Sequence, residues 1–459
     1  MLNISINFFR LFLSGRIKSE SCVIRYDRAS FSVELLLLVS VYDCVLAIHR
    51  SYTIWKKDLD QNKNLYETVW SSQWEPGKTT QHASQIYTHI FGTTNHSCKD
   101  IQEVVEKEFD TIPNHDLLVG GFPCQDYSVA RTLNQAKGIY GKKGVLWWSI
   151  FNILNKKCKD SPSFILLENV DRLLKSPSEQ RGRDFAVMLA SLSDLGYIVE
   201  WRVINAADYG FPQRRRRVFI MGYKKDSKVY NLIKKEKEVA NWIYKNGVIA
   251  KAFPVKECRE ELRKFNIEGS LGEISEKFST HKPSKSPFEI TGIMIDRKVH
   301  TVKTSADYNG KRTLLQDVVI HDETKIPAEF FIKDEEQIKW TYLKGGKKEA
   351  RKSKSGFEYN YSEGPMIFPD SLDKPSRTIV TGEGGSSPSR FKHVIKTQSG
   401  RLRRLMPIEL ERLNMFPDNH TKYMSDVKIT PDVKRAFIMG NALVVGVIEK
   451  LGKSLSNFM

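Results

Sequence analysis

The sequence predicts an α/β fold in which helices cover both faces of a parallel sheet, together with a smaller, irregular second domain. The first observation is that apolar, strand-like runs alternate with helical spacings between residues 65 and 225. The second is that this alternation stops after Tyr223, where residues 226–400 become richer in Lys, Ser and Gly. The third is that helical character returns in residues 401–459, which predicts that the chain comes back to the first domain.

The predicted elements follow in order along the chain. Strands are expected where apolar runs are short and end abruptly, and helices where apolar residues recur at helical spacing. Gly196 is placed to end the helix that Phe185 opens. The predicted strands are Thr68–Pro76, Leu117–Cys124, Phe164–Val170, Ile198–Ile204 and Arg217–Gly222, with a short β-like piece at Thr378–Thr381. The predicted helices are Lys78–Phe91, Val145–Leu154, Phe185–Leu195, Pro407–Met415 and Pro431–Leu451.

The composition favours a polyanionic partner and a reducing compartment. Lys and Arg outnumber Asp and Glu by 72 to 54, which gives a net charge of +18. An ordinary soluble basic protein is the alternative interpretation. The 6 cysteines are scattered without a CxxC pair, so neither a disulfide framework nor a metal site is expected. The longest apolar run, Val33–Ile48, is short for a membrane span and contains Glu34 and Asp43, so we expect a cytosolic protein.

The stretch Leu117–Arg131, LLVGGFPCQDYSVAR, is where chemistry is first indicated. An apolar run followed by two glycines is typical of a buried strand that breaks into a tight turn. Pro123 fixes its own φ and restricts Phe122, so that Cys124 is presented from a stiff support. In open α/β sheets this end of a strand is where ligands bind. A reactive thiol is therefore favoured over a buried structural one.

Two further polar groups lie at the ends of predicted strands: Glu168 with Asn169 at the end of Phe164–Val170, and the arginine cluster 214–217 at the start of Arg217–Gly222. Taken separately, Glu168 could be an ordinary neighbour of a helix N-cap, and the arginines a solvated or phosphate-binding patch. Because all these groups fall at strand ends of one predicted sheet, a shared site is the better interpretation.

The order of these motifs resembles that of the DNA cytosine-5 methyltransferases. The similarity covers roughly residues 65–225 and 375–450, and four or five short motifs in the family's order are specific together although each is weak alone. The matching motifs are GGFPCQ at Gly120–Gln125, ENV at Glu168–Val170, QRRRR at Gln213–Arg217, Arg401–Pro417, and GNALVV at Gly440–Val445.

The resemblance implies a Rossmann-like, S-adenosylmethionine-dependent methyltransferase sheet with a target-recognition domain. It implies a site-specific DNA (cytosine-5) methyltransferase that acts as a monomer on double-stranded DNA in the bacterial cytosol, alongside a cognate restriction endonuclease. The domains expected are residues 65–225 for catalysis, 226–400 for target recognition, and 401–459 for the return to the catalytic domain.

The resemblance also assigns catalytic roles. Cys124 is implied to add to cytosine C6, which makes C5 nucleophilic toward a methyl sulfonium. Glu168 is implied to hold and protonate N3, and Arg217 to bind O2 with Arg215 as its companion. Asn169 is implied to help fix the base pocket. The target nucleotide has to be flipped out of the duplex for this chemistry.

DNA contacts are implied at two places. The loop after Cys124, with Gln125, Ser128 and Arg131, resembles the lid that closes over DNA in the family, and its glycines would supply the hinge. Thr378 resembles the threonine that supports the recognition region. Lys and Arg of that region would mainly contact phosphates, whereas a few side chains read the bases.

The cofactor pocket is implied by scattered matches. Trp74 resembles the aromatic residue that packs on the adenine of S-adenosylmethionine. Gln73 stands where the family usually has a ribose-binding Glu, and Glu75 is the candidate substitute. The remaining matching positions are Asp100, Ile101, Pro123, Leu146, Asn441 and Ala442.

Residues 1–64 depart from the family, because they lack its Phe-x-Gly-x-Gly-Gly turn at the cofactor's methionine end. One hypothesis is that Leu37–Val41 is a shifted reading of this motif, since one change of frame yields Phe-Ala-Gly-Val-Gly. A chain without that turn could also be a catalytically impaired DNA-binding remnant of the family. A cysteine hydrolase that pairs Cys124 with His115, and an RNA methyltransferase, are the remaining alternatives.

Overall fold

The computed structural model describes residues 33–39, 66–122, 145–257, 261–280, 285–352 and 358–459. All of these residues belong to one compact unit, Val33–Met459. Cys124 and the predicted lid residues lie outside the described residues, as do Pro123 and the segment 40–65. No helix in the described ranges is long and apolar enough to cross a membrane.

Ten of the described strands form one mixed sheet, in the order β3-β2-β1-β4-β5-β7-β6-β9-β10-β8. Strands β1 to β5 run parallel to their neighbours within that group, whereas β7 is antiparallel to both β5 and β6. The ten strands are β1 Val33–Val39, β2 Tyr66–Gln73, β3 His96–Ser97, β4 Leu117–Gly121, β5 Phe164–Val170, β6 Tyr197–Asn205, β7 Arg216–Lys224, β8 Arg263–Asn266, β9 Thr291–Ile295 and β10 Lys298–Val302.

The prediction of a parallel sheet is thus correct for the predicted strands β2, β4 and β5 and wrong for β7. Strands β1 and β3, which were not predicted, extend the parallel part. The connection between β6 and β7 runs over residues 206–215 and contains no crossover α-helix. A parallel return needs a longer crossover, usually a helix, so this short connection reverses the strand direction.

Strand β1 lies in the region for which the sequence predicted no regular structure. It inserts between β2 and β4 and is parallel to both, with Leu35–Val39 opposite Leu117–Gly121. A nearly unbroken apolar run is typical of a parallel strand covered on both faces. The segment Val33–Val39 therefore supplies a central strand of the sheet. The residues that follow it, whose sequence contains no Phe-x-Gly-x-Gly-Gly turn, lie outside the described residues.

Helices cover both faces of the sheet, as predicted. Along β4, Leu117 and Val119 pack into one core, whereas Leu118 between them packs into the other. This two-sided burial explains why the strands are apolar throughout. The helices are α1 His82–Phe91, α2 Ile101–Lys107, α3 Val145–Lys157, α4 Arg183–Asp194, α5 Lys228–Lys235, α6 Val239–Asn241 with a π-turn Trp242–Asn246, α7 Val248–Ala252, α8 Leu271–Lys277, α9 Asp334–Lys344, α10 Pro407–Leu413, α11 Asp432–Asn441 and α12 Val445–Ser456.

Several predicted bounds shift. Helix α1 begins at His82 and not at Lys78, and α3 continues to Lys157. The predicted helix Pro431–Leu451 is two helices, because residues 442–444 are not helical.

The segment 226–400 contributes to more than one sheet. Its strands β8, β9 and β10 extend the main sheet, whereas β11 Lys347–Lys352 pairs with β12 Glu358–Glu363 in a separate ribbon. The strands β13 Val394–Lys396 and β14 Leu402–Arg404 form a further pair. The β-like piece expected at Thr378–Thr381 is not a strand, although Ser376 makes a bridge to Gln213. The domain boundaries given above stay predictions.

A buried histidine ties β3 to the sheet and gives a pH prediction. His96 lies 2.8 Å from the hydroxyls of both Ser71 and Ser84, and burial lowers its pKa to about 4. Because the unfolded ring titrates near its ordinary pKa, the unfolded state binds more protons between pH 6.5 and 4. We therefore expect stability to be lost as pH falls through this window, and less so in His96→Gln. Denaturation midpoints at several pH values measure this, and parallel curves for the two proteins would contradict it.

A buried ion pair joins β14 to α10 and gives a stability prediction. The Arg403 guanidinium makes two bonds to the Glu409 carboxylate, at 2.7 and 2.8 Å, and both side chains are fully buried. Glu409→Ala leaves that guanidinium buried without its counter-charge, so we expect a loss of about 3–5 kcal/mol in the free energy of unfolding. The control is Asp418→Ala, which breaks the partly exposed pair with Arg412 and should cost about 1 kcal/mol or less. Similar losses in chemical denaturation would contradict the prediction.

Candidate active site

The site is built on a row of residues at the carboxyl ends of four neighbouring strands. Gln73 of β2 is opposite Val39 of β1, Val39 is opposite Gly121 of β4, and Gly121 is opposite Glu168 of β5. At about 4.8 Å between strands, the row spans about 14 Å from Gln73 to Glu168. Gln73 and Glu168, which the sequence predicted for the cofactor pocket and for catalysis, therefore lie along the same end of the sheet.

The Glu168 carboxylate and the Arg217 guanidinium, both predicted to be catalytic, form an ion pair at one end of this row. Arg217 Nε lies 2.8 Å from Glu168 Oε1, and both side chains are mostly buried. Arg217 Nη1 also donates to the carbonyl of Arg216 at 2.8 Å. The two side chains reach one another because β5 and β7 are adjacent, with Val170 opposite Arg217. The antiparallel direction of β7 thus brings together two groups that were predicted separately.

Asn169 connects this pair to the chain that leads to Cys124. Its side chain is buried, and Nδ2 donates to the carbonyl of Phe122 at 2.7 Å. Its Oδ1 accepts the backbone N–H of Val170 at 2.8 Å. Phe122 is two residues before Cys124, so Asn169 holds the start of that loop beside Glu168.

Arg215 takes a different position from Arg217. Its side chain is only 2% exposed, and it donates to the carbonyls of Ile379 at 3.2 Å and Gly440 at 3.0 Å. These contacts join the start of β7 to the segment around Ile379 and to the end of α11. The arrangement favours a role for Arg215 in positioning these chain segments, because its guanidinium donates to their backbone carbonyls.

Gln213 was not among the predicted site residues, yet it anchors the same junction. It is fully buried, and its amide nitrogen donates to Asn414 Oδ1 at 2.8 Å and to the carbonyl of Leu413 at 3.2 Å. Its oxygen accepts the N–H of Ile379 at 2.9 Å. The only signal in the sequence is its place at the head of the arginine run.

Thr378 and Gly440 complete the junction. The Thr378 hydroxyl donates to the carbonyl of Arg214 at 2.5 Å. A Cβ on Gly440 would lie 2.4 Å from the backbone nitrogen of Thr381, so only glycine permits this approach. Next to it, Asn441 donates to the carbonyl of Phe437 at 3.3 Å, and Ala442 is fully buried.

The other end of the row carries the predicted adenosine-binding residues. Gln73 is 2% exposed, and its amide nitrogen has no hydrogen-bond partner among the described residues. Trp74 follows it and is partly exposed. Glu75 is buried, its Oε1 accepts the N–H of Ala83 at 3.3 Å, and burial raises its pKa. Because the Glu75 carboxylate already accepts a hydrogen bond at the amino end of α1, Gln73 is the polar side chain better placed to contact the ribose.

Asp100 and Ile101 lie just after β3, beside this end of the row. Asp100 caps α2 by accepting the N–H of Gln102 at 3.0 Å. Ile101 packs in one core with Leu146 and Phe122. An unpartnered buried amide, an indole, a carboxylate and an apolar floor suit an adenosine group. The residues present therefore fit the nucleoside part of S-adenosylmethionine.

His115 and Phe122, the last described residue before Cys124, lie at opposite ends of β4. His115 lies before the amino end of β4, where it hydrogen-bonds the Pro113 carbonyl at 3.0 Å, and burial lowers its pKa to about 4. Phe122 lies past the other end of this five-residue strand, about 16 Å away along it. This position of His115 argues against the cysteine hydrolase alternative. Within the described ranges, no group of three His, Cys, Asp or Glu side chains could hold a metal ion.

Comparison with known proteins gives consistent matches. The family model for C-5 cytosine-specific DNA methylase matches residues 57–457. The chain is 45% identical to the type II methyltransferase M.Sau3AI of Staphylococcus aureus, over 86% of this chain and 91% of that protein. It is 37% identical to the type II methyltransferase M.NgoBI of Neisseria gonorrhoeae over 34% of this chain and 43% of that protein. The fold resembles S. pombe Dnmt2 methyltransferase with a TM-score of 0.55 and 13% identity, covering 92% of this chain and 98% of that one.

Proposed function

The chain belongs to the C-5 cytosine-specific DNA methylase family and is a DNA (cytosine-5) methyltransferase of the type II restriction-modification kind, from which we propose how its residues act. We propose that it methylates C5 of a flipped-out cytosine in a specific duplex sequence through a covalent adduct with Cys124. The observation that carries this proposal is the Glu168–Arg217 pair, held 2.8 Å apart beside the chain leading to Cys124.

In the proposed mechanism, the Cys124 thiolate forms a bond to C6 and pushes the C5–C6 electron pair onto the ring. Glu168 donates a proton to N3, which neutralises the ring while the adduct exists. Arg217 binds O2 and holds the base in register. S-adenosylmethionine, when bound, would supply a methyl group on a sulfonium and would leave as S-adenosylhomocysteine. Once C5 carries the methyl group, water takes the C5 proton and the electron pair of that C–H bond re-forms the C5–C6 double bond. The C6–S bond breaks to release the Cys124 thiolate, and N3 returns its proton to Glu168.

The described residues support this division of labour. The pairing of Glu168 with Arg217 orients both groups before a base arrives, which reduces the entropy lost on binding. The bond from Asn169 to the Phe122 carbonyl sets the start of the Cys124 loop relative to Glu168. Gln213, Arg215 and Thr378 then fix the recognition segment to the same strand end.

Transfer from methyl-labelled S-adenosylmethionine tests the proposal. We expect label in mixed-sequence duplex DNA and none in tRNA, with 5-methyldeoxycytidine as the labelled nucleoside. We also expect a duplex with 5-fluorocytosine to trap the adduct, because fluorine at C5 cannot leave as a proton does. Label on the exocyclic amino group, or in tRNA alone, would contradict the proposal.

The impaired remnant stays the second candidate, because residues 1–64 contain no match to the family's glycine turn. Calorimetric titration with S-adenosylhomocysteine separates the two. Binding with transfer supports the enzyme, whereas DNA binding without cofactor binding or transfer supports the remnant.

A further inference from the structure

The ribbon β11–β12 stands apart from the main sheet in the described part of the chain. Its two strands are antiparallel and pair only with one another, with Lys348 opposite Ser362 and Ala350 opposite Asn360. Opposite residues share a face, so these four residues lie on one face of the ribbon. By the same register, Lys352 and Glu358 continue that face.

The two faces of the ribbon differ in exposure. On one face, Lys347 Nζ lies 4.4 Å from the centre of the Tyr342 ring, and the Tyr342 hydroxyl donates to Glu349 Oε1 at 3.2 Å. Tyr342 belongs to α9, so this face is in contact with that helix. On the other face all four of the residues Lys348, Ala350, Asn360 and Ser362 are exposed.

The open face is polar and lacks an apolar cluster. A partner that bound by apolar packing would find only one methyl group, that of Ala350, among these four residues. Lys348 and Asn360 offer hydrogen-bond donors, and the Lys348 ammonium gives these four residues a positive charge. The face therefore suits an anionic partner with many hydrogen-bonding edges, which is the description of duplex DNA.

The base of the ribbon is attached to the chain that leaves the active site. Arg390 Nη1 donates to the carbonyls of Leu343 and Gly345 at 3.1 Å each, and Nη2 donates to the carbonyl of Gly364. One guanidinium thus holds both the residues just before β11 and the residue just after β12. Arg390 follows Thr378 along the segment that Arg214 anchors. The position of the ribbon is consequently coupled to the strand that carries Arg217.

We propose that this open face enters the major groove of the substrate duplex and that Lys348 and Asn360 read base edges there. The major groove admits a two-stranded ribbon. An amide such as that of Asn360 can bond adenine at N6 and N7, and an ammonium such as that of Lys348 can bond guanine at O6 and N7. The inference rests on the proposed function and names the element that selects the methylated sequence.

The test maps methylated cytosines in mixed-sequence duplex DNA by sequencing, with full-length wild-type and variant proteins. We expect one consensus for the wild type. Asn360→Ala and Lys348→Ala should each relax one position of the consensus and lower kcat/KM on it by about 10- to 100-fold. The matched controls are Asn266→Ala and Lys264→Ala, exposed residues on β8 at the edge of the main sheet. An unchanged consensus and rate in both ribbon variants would overturn the proposal.

A second measurement keeps the ribbon testable if the wild type transfers no methyl group. Fluorescence anisotropy with a labelled duplex at fixed salt reports DNA binding alone. Lys348→Glu places a negative charge on the open face, so we expect at least about 10-fold weaker binding, whereas Lys264→Glu should change it little. Weaker binding without transfer would support the ribbon and reject the proposed catalysis. Equal binding by wild type and Lys348→Glu would overturn the ribbon proposal.

Discussion

Replacing Cys124 by alanine is expected to abolish methyl transfer, with a loss of at least about 10⁴-fold in kcat. The reason is that C5 of cytosine becomes nucleophilic only after a nucleophile has added at C6. The bond between Asn169 and the Phe122 carbonyl does not involve the thiol, so the variant should keep its fold. Initial rates with labelled cofactor measure the loss, and the 5-fluorocytosine duplex should no longer form an adduct.

The matched control is Cys158→Ala. This thiol is free and exposed, and its Sγ donates to the carbonyl of Asn155 at 3.1 Å. Because Cys158 lies before the amino end of β5, away from the edge formed by Gln73 and Glu168, its removal should leave the rate within about twofold. A Cys124→Ala protein that keeps more than a tenth of the wild-type rate would show that the covalent mechanism is wrong.

Glu168→Gln is expected to lower kcat by about 10²- to 10⁴-fold while DNA binding is retained. Glutamine keeps the size of the side chain but cannot donate a proton to N3 and carries no charge for Arg217. The carboxylate now lies 2.8 Å from Arg217 Nε, so the substitution also weakens the preorganisation of the base pocket. Single-turnover rates separate this chemical defect from any change in DNA affinity.

The control for Glu168 is Asp171→Asn, which alters a carboxylate three residues along the same chain. Asp171 Oδ2 lies 2.7 Å from Arg216 Nε, and both side chains are about half exposed. Water screens such a pair, so its loss should change kcat by less than about twofold. Equal losses in the two variants would mean that Glu168 contributes only general electrostatics, and the assigned proton transfer would be rejected.

Much of the catalytic edge was predictable from local patterns. The strand Phe164–Val170 has the predicted bounds, and Glu168 lies near its carboxyl end as predicted. Apolar runs predict buried strands because burial on both faces excludes polar side chains, and groups at the ends of parallel strands share one edge. The prediction of helices on both faces is confirmed for the same reason.

The prediction was incomplete where long-range pairing decides. The sequence of β7 does not reveal that it runs antiparallel to β5, and this direction places Val170 opposite Arg217. Likewise, Val33–Val39 was not recognised as a strand, because a leucine run shows no alternation and its partners lie far along the chain.

The sequence by itself determined the family and the order of its motifs, because these depend on residue type and order. Only the tertiary structure showed which groups each arginine contacts. Arg216 and Arg217 pair with different carboxylates, Asp171 and Glu168, while Arg215 is buried against backbone carbonyls. Successive side chains of a strand point to opposite faces, which separates Arg216 from Arg217, whereas Arg215 lies before β7 and its contacts depend on the path of the chain there. A run of four identical residues does not reveal where the strand begins.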